Sequence, residues 1–365
     1  MIHKSILTLC AIGLSVSCWA QEGEFPIYTG YPAMIKKVQD NCPDYKREIA
    51  YLSMSQVSAQ NRVLDLDEKE SFSQIRWANE YEPTSCTIAL AENTIEGMSF
   101  ILANRPTERP AYDEVDKDIA RALLTLWLVE PKRDSSKYTK AIEHADLYLG
   151  KRHDGYKPEH EEAYYFLSDE IAKVAQLAKN DADGIRLNRL AAEYARQGYN
   201  KARVKTDNAL ALSVALIALI PKMPSQSKEQ IELLNELDTL APTPWVRQIQ
   251  IALLYAQRHD FEKVKMWLEA YGNTNTDYPC MSVSGGYESI IANFSDADQQ
   301  KWLRQNRSNT CQKTKAVLMD KIKKIKDNFE RAESMDGIIN ATISMSFLET
   351  KLQIIKRRIN EQQTP

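Results

Sequence analysis

Glycine is scarce in this chain, with twelve among 365 residues. Sandwiches and doubly wound sheets use glycine in tight turns, bulges and phosphate loops, so the count argues against both. Neither Gly-x-Gly-x-x-Gly nor Gly-x(4)-Gly-Lys-Ser/Thr occurs, which removes the common nucleotide-binding loops. No stretch alternates apolar and polar residues for long enough to nominate a central strand. The formal net charge is only −3, too little positive charge for a large nucleic-acid footprint. Beyond the N-terminus no apolar run approaches the ~18 residues that span a bilayer, and the nearest, Leu210 to Ile220, is too short. The six cysteines include no Cys-x-x-Cys pair and the chain has no His-Glu-x-x-His, so neither a metal nor a cofactor is expected.

What is present begins with an export signal. Lys4 precedes the apolar stretch Ile6–Val16, and Cys18-Trp19-Ala20 offers small residues for cleavage before Gln21. The rival reading is a lipoprotein acylated at Cys18. Ser15-Val16-Ser17-Cys18 lacks the large aliphatic residue such a site wants, so a soluble periplasmic protein is the expectation. Cys42, Cys86, Cys280 and Cys311 remain after cleavage, and four cysteines allow three pairings. The sequence-local choice, Cys42–Cys86 with Cys280–Cys311, closes the shortest loops and suits an oxidising compartment.

From about residue 32 onward the apolar spacing is helical. It predicts helices over 44–60, 68–80, 86–103, 113–129, 135–149, 160–179, 183–197, 207–220, 225–240, 244–258, 261–271, 312–333 and 336–361. Gly150, Gly184, Gly198, Gly272 and Gly337 fall near the proposed ends, where left-handed caps would use them. The expected class is all-α, built of stacked helical hairpins and closed by a pair of long helices. Five segments follow: a signal at 1–20, an N-terminal helical segment at 21–110 and a helical-repeat region at 111–271. A disulfide-tied irregular stretch at 272–311 leads into a basic hairpin at 312–365.

Two of the hairpins start 37 residues apart, near Asp207 and Pro244. In the second, Ala252, Tyr255, Phe261 and Leu268 stand where the tetratricopeptide repeat places its small residue, its tyrosine, its aromatic and its large apolar residue, and Pro242 stands at the preceding terminal proline. The stretch from Trp245 to Tyr271 therefore resembles one tetratricopeptide repeat. Gln248 in place of Trp, Val264 and Tyr271 in place of alanines, and Thr276 in place of the next proline depart from the pattern. The resemblance implies a TPR-like α-solenoid whose concave surface binds a protein or peptide. It also nominates Tyr255, Arg258 and His259, near a hairpin turn, as binding residues, with His259 standing where that repeat usually has glycine.

Charge is segregated along the chain. Residues 312–360 carry eleven Lys/Arg against six Asp/Glu, and Lys321, Lys323, Lys324 and Lys326 form a basic patch there. This patch is either a solvated helix face or a contact for an anionic surface. Trp127, Trp267 and Trp302 stand at core spacing, and His144 lies in mid-helix away from any nucleophile. His153-Asp154 and Glu159 to Glu162 are dense in potential ligands but match no compact metal pattern, and read as a polar interhelical loop. The one enzymatic lead is Glu288 in Gly286-Tyr287-Glu288-Ser289, since lytic transglycosylases carry a catalytic Glu followed by Ser. Its bland alternative is a helix-start carboxylate. The expectation is a non-enzymatic periplasmic binder of a protein partner, such as an immunity protein restraining an envelope-acting toxin or enzyme. A peptidoglycan-processing enzyme using Glu288 and an envelope assembly or scaffold factor are the alternatives.

Overall fold

A computed structural model describes residues 26–42, 44–60, 66–78, 84–105, 114–151, 160–202, 205–240, 247–272, 284–329 and 335–361. The described residues are helical, without strands. In chain order the helices are α1 Tyr31–Asn41, α2 Lys46–Gln60, α3 Leu66–Phe72, α4 Thr84–Asn104, α5 Val115–Val129, α6 Ser135–Lys151, α7 His160–Gln176 and α8 Asp181–Lys201. They continue as α9 Thr206–Leu219, α10 Lys228–Asp238, α11 Gln248–Ala256, α12 Phe261–Gly272, α13 Ser284–Ala292, α14 Ala297–Phe329 and α15 Met335–Glu361. Helices adjacent in sequence pack as neighbours, among them α5 with α6, α7 with α8, α11 with α12 and α14 with α15. The chain divides into two compact units, Met1–Asp154 and Gly155–Pro365.

The first unit is organised around α5, which is buried at every position from Val115 to Leu128. Its apolar side meets Ile75 and Ala91 through Ala122 and Leu126. Burial on the remaining sides forces its charges to find partners, because an unpaired ion inside a protein is costly. Asp118, wholly buried, accepts from Ser73 Oγ and from Arg76 Nη2 at 3.1 and 3.2 Å. Asp116 takes His144 Nδ1 at 2.7 Å. Lys117 meets Glu114 at 3.2 Å, and Lys69 reaches the same carboxylate at 2.6 Å. The third predicted helix, 68–80, is therefore two pieces: α3 supplies Lys69, and a separate 3₁₀ turn, Gln74–Trp77, supplies Arg76.

Cys42 and Cys86 are bonded, tying the end of α1 to the start of α4. Both are buried with Val38, Leu52 and Leu90. A second tie lies at Tyr28, whose ring stands edge-on to Tyr31 and Phe72 and whose hydroxyl donates to Glu96 at 2.7 Å. Arg105 then forks onto buried Glu68 with two bonds of 2.9 Å.

In the second unit α8 packs against α7 and α9, and α9 also touches α7 and α11. Gly198, expected near a helix end, lies inside α8 and serves close approach. A Cβ there would sit 2.2 Å from Asn208 Oδ1 and 2.5 Å from Tyr164 Cβ, so α7, α8 and α9 converge on it. Gly150 is the next-to-last residue of α6 and Gly184 the fourth of α8, both near helix ends as expected but neither in the left-handed region, and Gly337 lies within the first turn of α15. Among the described residues, the non-glycine residues in the left-handed region are Gln226 and His259.

Ion pairs join α8 to α10 at a constant offset. Arg189 meets Glu229 at 2.6 Å and Arg196 meets Glu236 at 2.6 Å, each across 40 residues. Lys222 closes onto Asp181 at 2.7 Å across 41. The two helices run the same way, since both pairs share one offset. The stretch expected to be irregular, 272–311, carries α13 and the first half of α14. Its length of polar sequence hides a helix that pairs with α15 only toward its far end. Cys311 is disulfide-bonded; Cys280 lies outside the described residues.

Two outcomes follow from this packing. Gly198→Ala should cost about 1–3 kcal/mol, the usual penalty for forcing a methyl group into a filled site, read from urea denaturation. At Glu114, burial raises the carboxyl, but Lys117 and Lys69 outweigh it and hold the pKa at about 2. Its contribution is thus present above the ordinary carboxylate range and lost as pH falls toward 2. Stability measured against pH should show Glu114→Gln less stable than the natural chain at neutral pH, with the difference shrinking on that acid limb.

Candidate functional site

The α11–α12 hairpin is closed by hydrogen-bond geometry. His259 takes φ 58°, its N–H donates to Ala256 O at 2.9 Å, and the Asp260 N–H donates to Tyr255 O at 3.1 Å. This is a Schellman cap with histidine in the position where glycine is usual. Asp260 then caps α12 by accepting from Lys263 N at 3.1 Å. The exposed His259 ring donates through Nδ1 to Asn293 O at 3.0 Å and stands edge-on to Phe294.

Tyr255, nominated for binding, is spent on packing. It is 3% exposed, and its hydroxyl donates to Asp238 Oδ1 at 2.8 Å. Trp267 Nε1 at 3.3 Å and Lys263 Nζ at 2.5 Å reach the same carboxylate, so three donors from α11 and α12 converge on the end of α10. Burial, and then the Asp238 carboxylate, push the Tyr255 hydroxyl well above its ordinary range. Arg258 is half-buried and donates to Gln230 Oε1 at 2.7 Å. Of the three nominated residues, only His259 presents itself to solvent.

A different set crosses the helix stack. Tyr165 on α7 is half-buried, and burial raises its hydroxyl pKa. Asp169 and Asp207 raise it further, while Lys173 and Arg247 act against them. Asp207 lies in the first turn of α9 and Arg247 at the N-cap of α11, so the starts of these two helices come near Tyr165 in the second turn of α7. The intervals between Tyr165, Asp207 and Arg247 are 42 and 40 residues, close to the offset that joins α8 to α10. From Asp207 the same side of α9 continues through half-buried Leu210, Val214 and Ile217, at helical spacing. The result is a strip of partly exposed apolar side chains bordered by charges of both signs. Sequence reading missed it, because these residues are separated by whole hairpins. The signal that could have found it was the recurrence interval itself.

Glu288 is exposed and lies in the second turn of α13, not at its start, where Arg307 of α14 donates to it. A general acid needs the opposite setting, an apolar cleft that keeps the carboxyl protonated. The basic patch is partly neutralised: Lys324 pairs with Asp320 at 2.8 Å and Lys326 with Glu349 at 3.8 Å. Lys323 is exposed and Lys321 half-buried. Among the described residues no group of three or more His, Cys, Asp or Glu could hold a metal ion. His153 lies outside them. Trp267 and Trp127 are core residues, and Trp302 is half-buried against Phe261.

No protein-family model matches the chain, and neither a curated protein nor a solved structure matches it at a significant level. No described helix is long and apolar enough to cross a membrane.

Tyr255→Phe separates packing from binding. Losing one hydrogen bond to a charged acceptor should lower stability by about 1–3 kcal/mol, measured by urea denaturation, while Lys263 and Trp267 keep Asp238 satisfied.

Proposed function

We propose that this chain is a non-enzymatic binding protein of the bacterial periplasm that grips a protein partner along the α7–α9–α11 side of its hairpin stack. The observation that carries the reading is the recurrence of Tyr165, Asp207 and Arg247 on alternate helices of the stack, close enough for Asp207 and Arg247 to act on Tyr165. A TPR-like solenoid generates such recurrence by construction, because each hairpin presents equivalent positions to one side. The strip suits a folded or extended polypeptide: a tyrosine to anchor, aliphatic side chains to exclude water, and charges of both signs to set register. In its most concrete form the partner is an envelope-acting toxin or enzyme that this chain restrains as an immunity protein. Export by residues 1–20 supplies the compartment.

A tagged chain recovered from periplasm after gentle cross-linking should bring down one dominant partner. Tyr165→Ala combined with Arg247→Glu should weaken that complex by about tenfold or more, the scale of a hot-spot loss, with Tm unchanged. Tyr255→Phe should lower Tm and leave the complex intact. Recovery that ignores the first pair, or no partner at all, would overturn the reading. So would turnover of purified sacculi that disappears in Glu288→Gln.

A further inference from the structure

The α14–α15 hairpin has two unlike flanks. Its seam is Cys311, Leu318 and Ile322 on α14 against Leu348, Ile355 and Ile359 on α15, with Ile325 and Leu352 packed alongside. Turning from the seam by the helical pitch sends exposed Lys323, Lys326 and Lys356 to one flank together with Glu349. The 3.8 Å contact between Lys326 and Glu349 agrees with that placement. The other flank receives Val317 and Lys324 of α14 and Phe347 and Ile354 of α15. There Phe347 is 60% exposed and Ile354 37% exposed. The charges beside them already have partners. Lys324 pairs with Asp320 at 2.8 Å, and Lys351 is buried with its ammonium 4.4 Å from the Phe347 ring centroid. The principal neighbour of α15 is α14, across the seam.

We propose that this flank pairs with the same flank of a second copy of the chain, joining two hairpins into a four-helix bundle. What selects a second copy is that the flank is complementary to itself. Phe347 and Ile354 stand two turns apart on one stripe, with Thr350 and Lys351 at their midpoint. Along the antiparallel seam Leu318, Ile322 and Ile325 run against Ile355, Leu352 and Leu348, so Ile322 comes close to the level of that midpoint. Residue 322 is also the midpoint of the Asp320–Lys324 pair. A two-fold axis crossing both helices at this level lays each Phe347 on the other copy's Ile354. The same rotation brings each Asp320 to the other copy's Lys324, so apolar meets apolar and acid meets base. A partner of one charge sign would satisfy either Asp320 or Lys324 and repel the other. Large apolar side chains at the centre with charges at the edge is the usual anatomy of a protein interface. Lys323, Lys326 and Lys356, on the far flank, stay in water. This surface is independent of the protein-binding strip on α7, α9 and α11.

Sedimentation equilibrium of the purified full chain tests it, and a monomer–dimer equilibrium is expected. Phe347→Ser should weaken dimerisation by about tenfold or more, the scale of a lost anchor, and Ile354→Ser should act in the same direction. Asp320→Lys and Lys324→Asp should each weaken self-association by about fivefold, two cross-axis ion pairs being lost per dimer. Mixed in equal amounts, those two charge variants should form the heterodimer in preference to either homodimer, because each lysine then faces an aspartate across the axis. A pair acting only within its own helix predicts no such preference. Circular dichroism distinguishes loss of fold from loss of association. A chain that stays monomeric at every concentration, a dimer indifferent to Phe347→Ser and Ile354→Ser, or charge variants that do not prefer each other would overturn the proposal. A monomer whose capture of another protein is lost in Phe347→Ser would give the flank to that protein. Partner capture through Tyr165 and Arg247 would stand or fall separately.

Discussion

Two like helices held side by side at a constant offset constrain everything between them. Arg189–Glu229 and Arg196–Glu236 keep α8 and α10 level, each pair spanning 40 residues. Given that register, the intervening α9 must return antiparallel, and it does so as a helix that is apolar on nearly every side, from Ala209 to Leu219. The pairs themselves are partly exposed and individually weak. Most of the stabilisation comes from the apolar contact they align. Gly198 completes the arrangement by letting three helices meet where any side chain would hold them apart.

The first unit solves a different problem. A helix buried on all sides gains apolar contact with every neighbour but must carry its polar residues inside. α5 does this with an ordered set of partners, Ser73 and Arg76 for Asp118, His144 for Asp116, and Glu114 for Lys117. Such a network specifies one arrangement of α3, the 3₁₀ turn and α6 around α5, since any slip would leave a buried charge without its counterion. The Cys42–Cys86 bond confines the same unit in its unfolded state, closing a loop across 44 residues.

Much of this was legible in the sequence. The helical class, most helix positions and the Cys42–Cys86 pair follow from apolar spacing, breaker residues and loop length. What stayed hidden has physical causes. Val115 to Leu128 reads as an amphipathic helix, because a sequence does not show that Asp118 has partners more than forty residues away in Ser73 and Arg76. The first half of α14 is too polar to signal a helix that is largely uncovered. The His259 turn reads in the sequence as a position for glycine, while Tyr255 beside it reads as a binding residue. Its hydroxyl is the deceptive feature: a polar tip suggests solvent, and here it meets Asp238 inside. The Tyr165–Asp207–Arg247 strip could be seen only once the forty-residue interval was known.

That interval also bears on how the chain folds. Nearly every contact in the second unit joins residues within one hairpin or the next, so ordering one segment requires closing only short loops. Such a chain can begin at whichever hairpin forms first and grow outward by adding neighbours. The end hairpins, with a neighbour on one side only, are then where opening starts. A strip that spans three successive hairpins would register such fraying as a loss of its outermost position before the rest of the fold is disturbed.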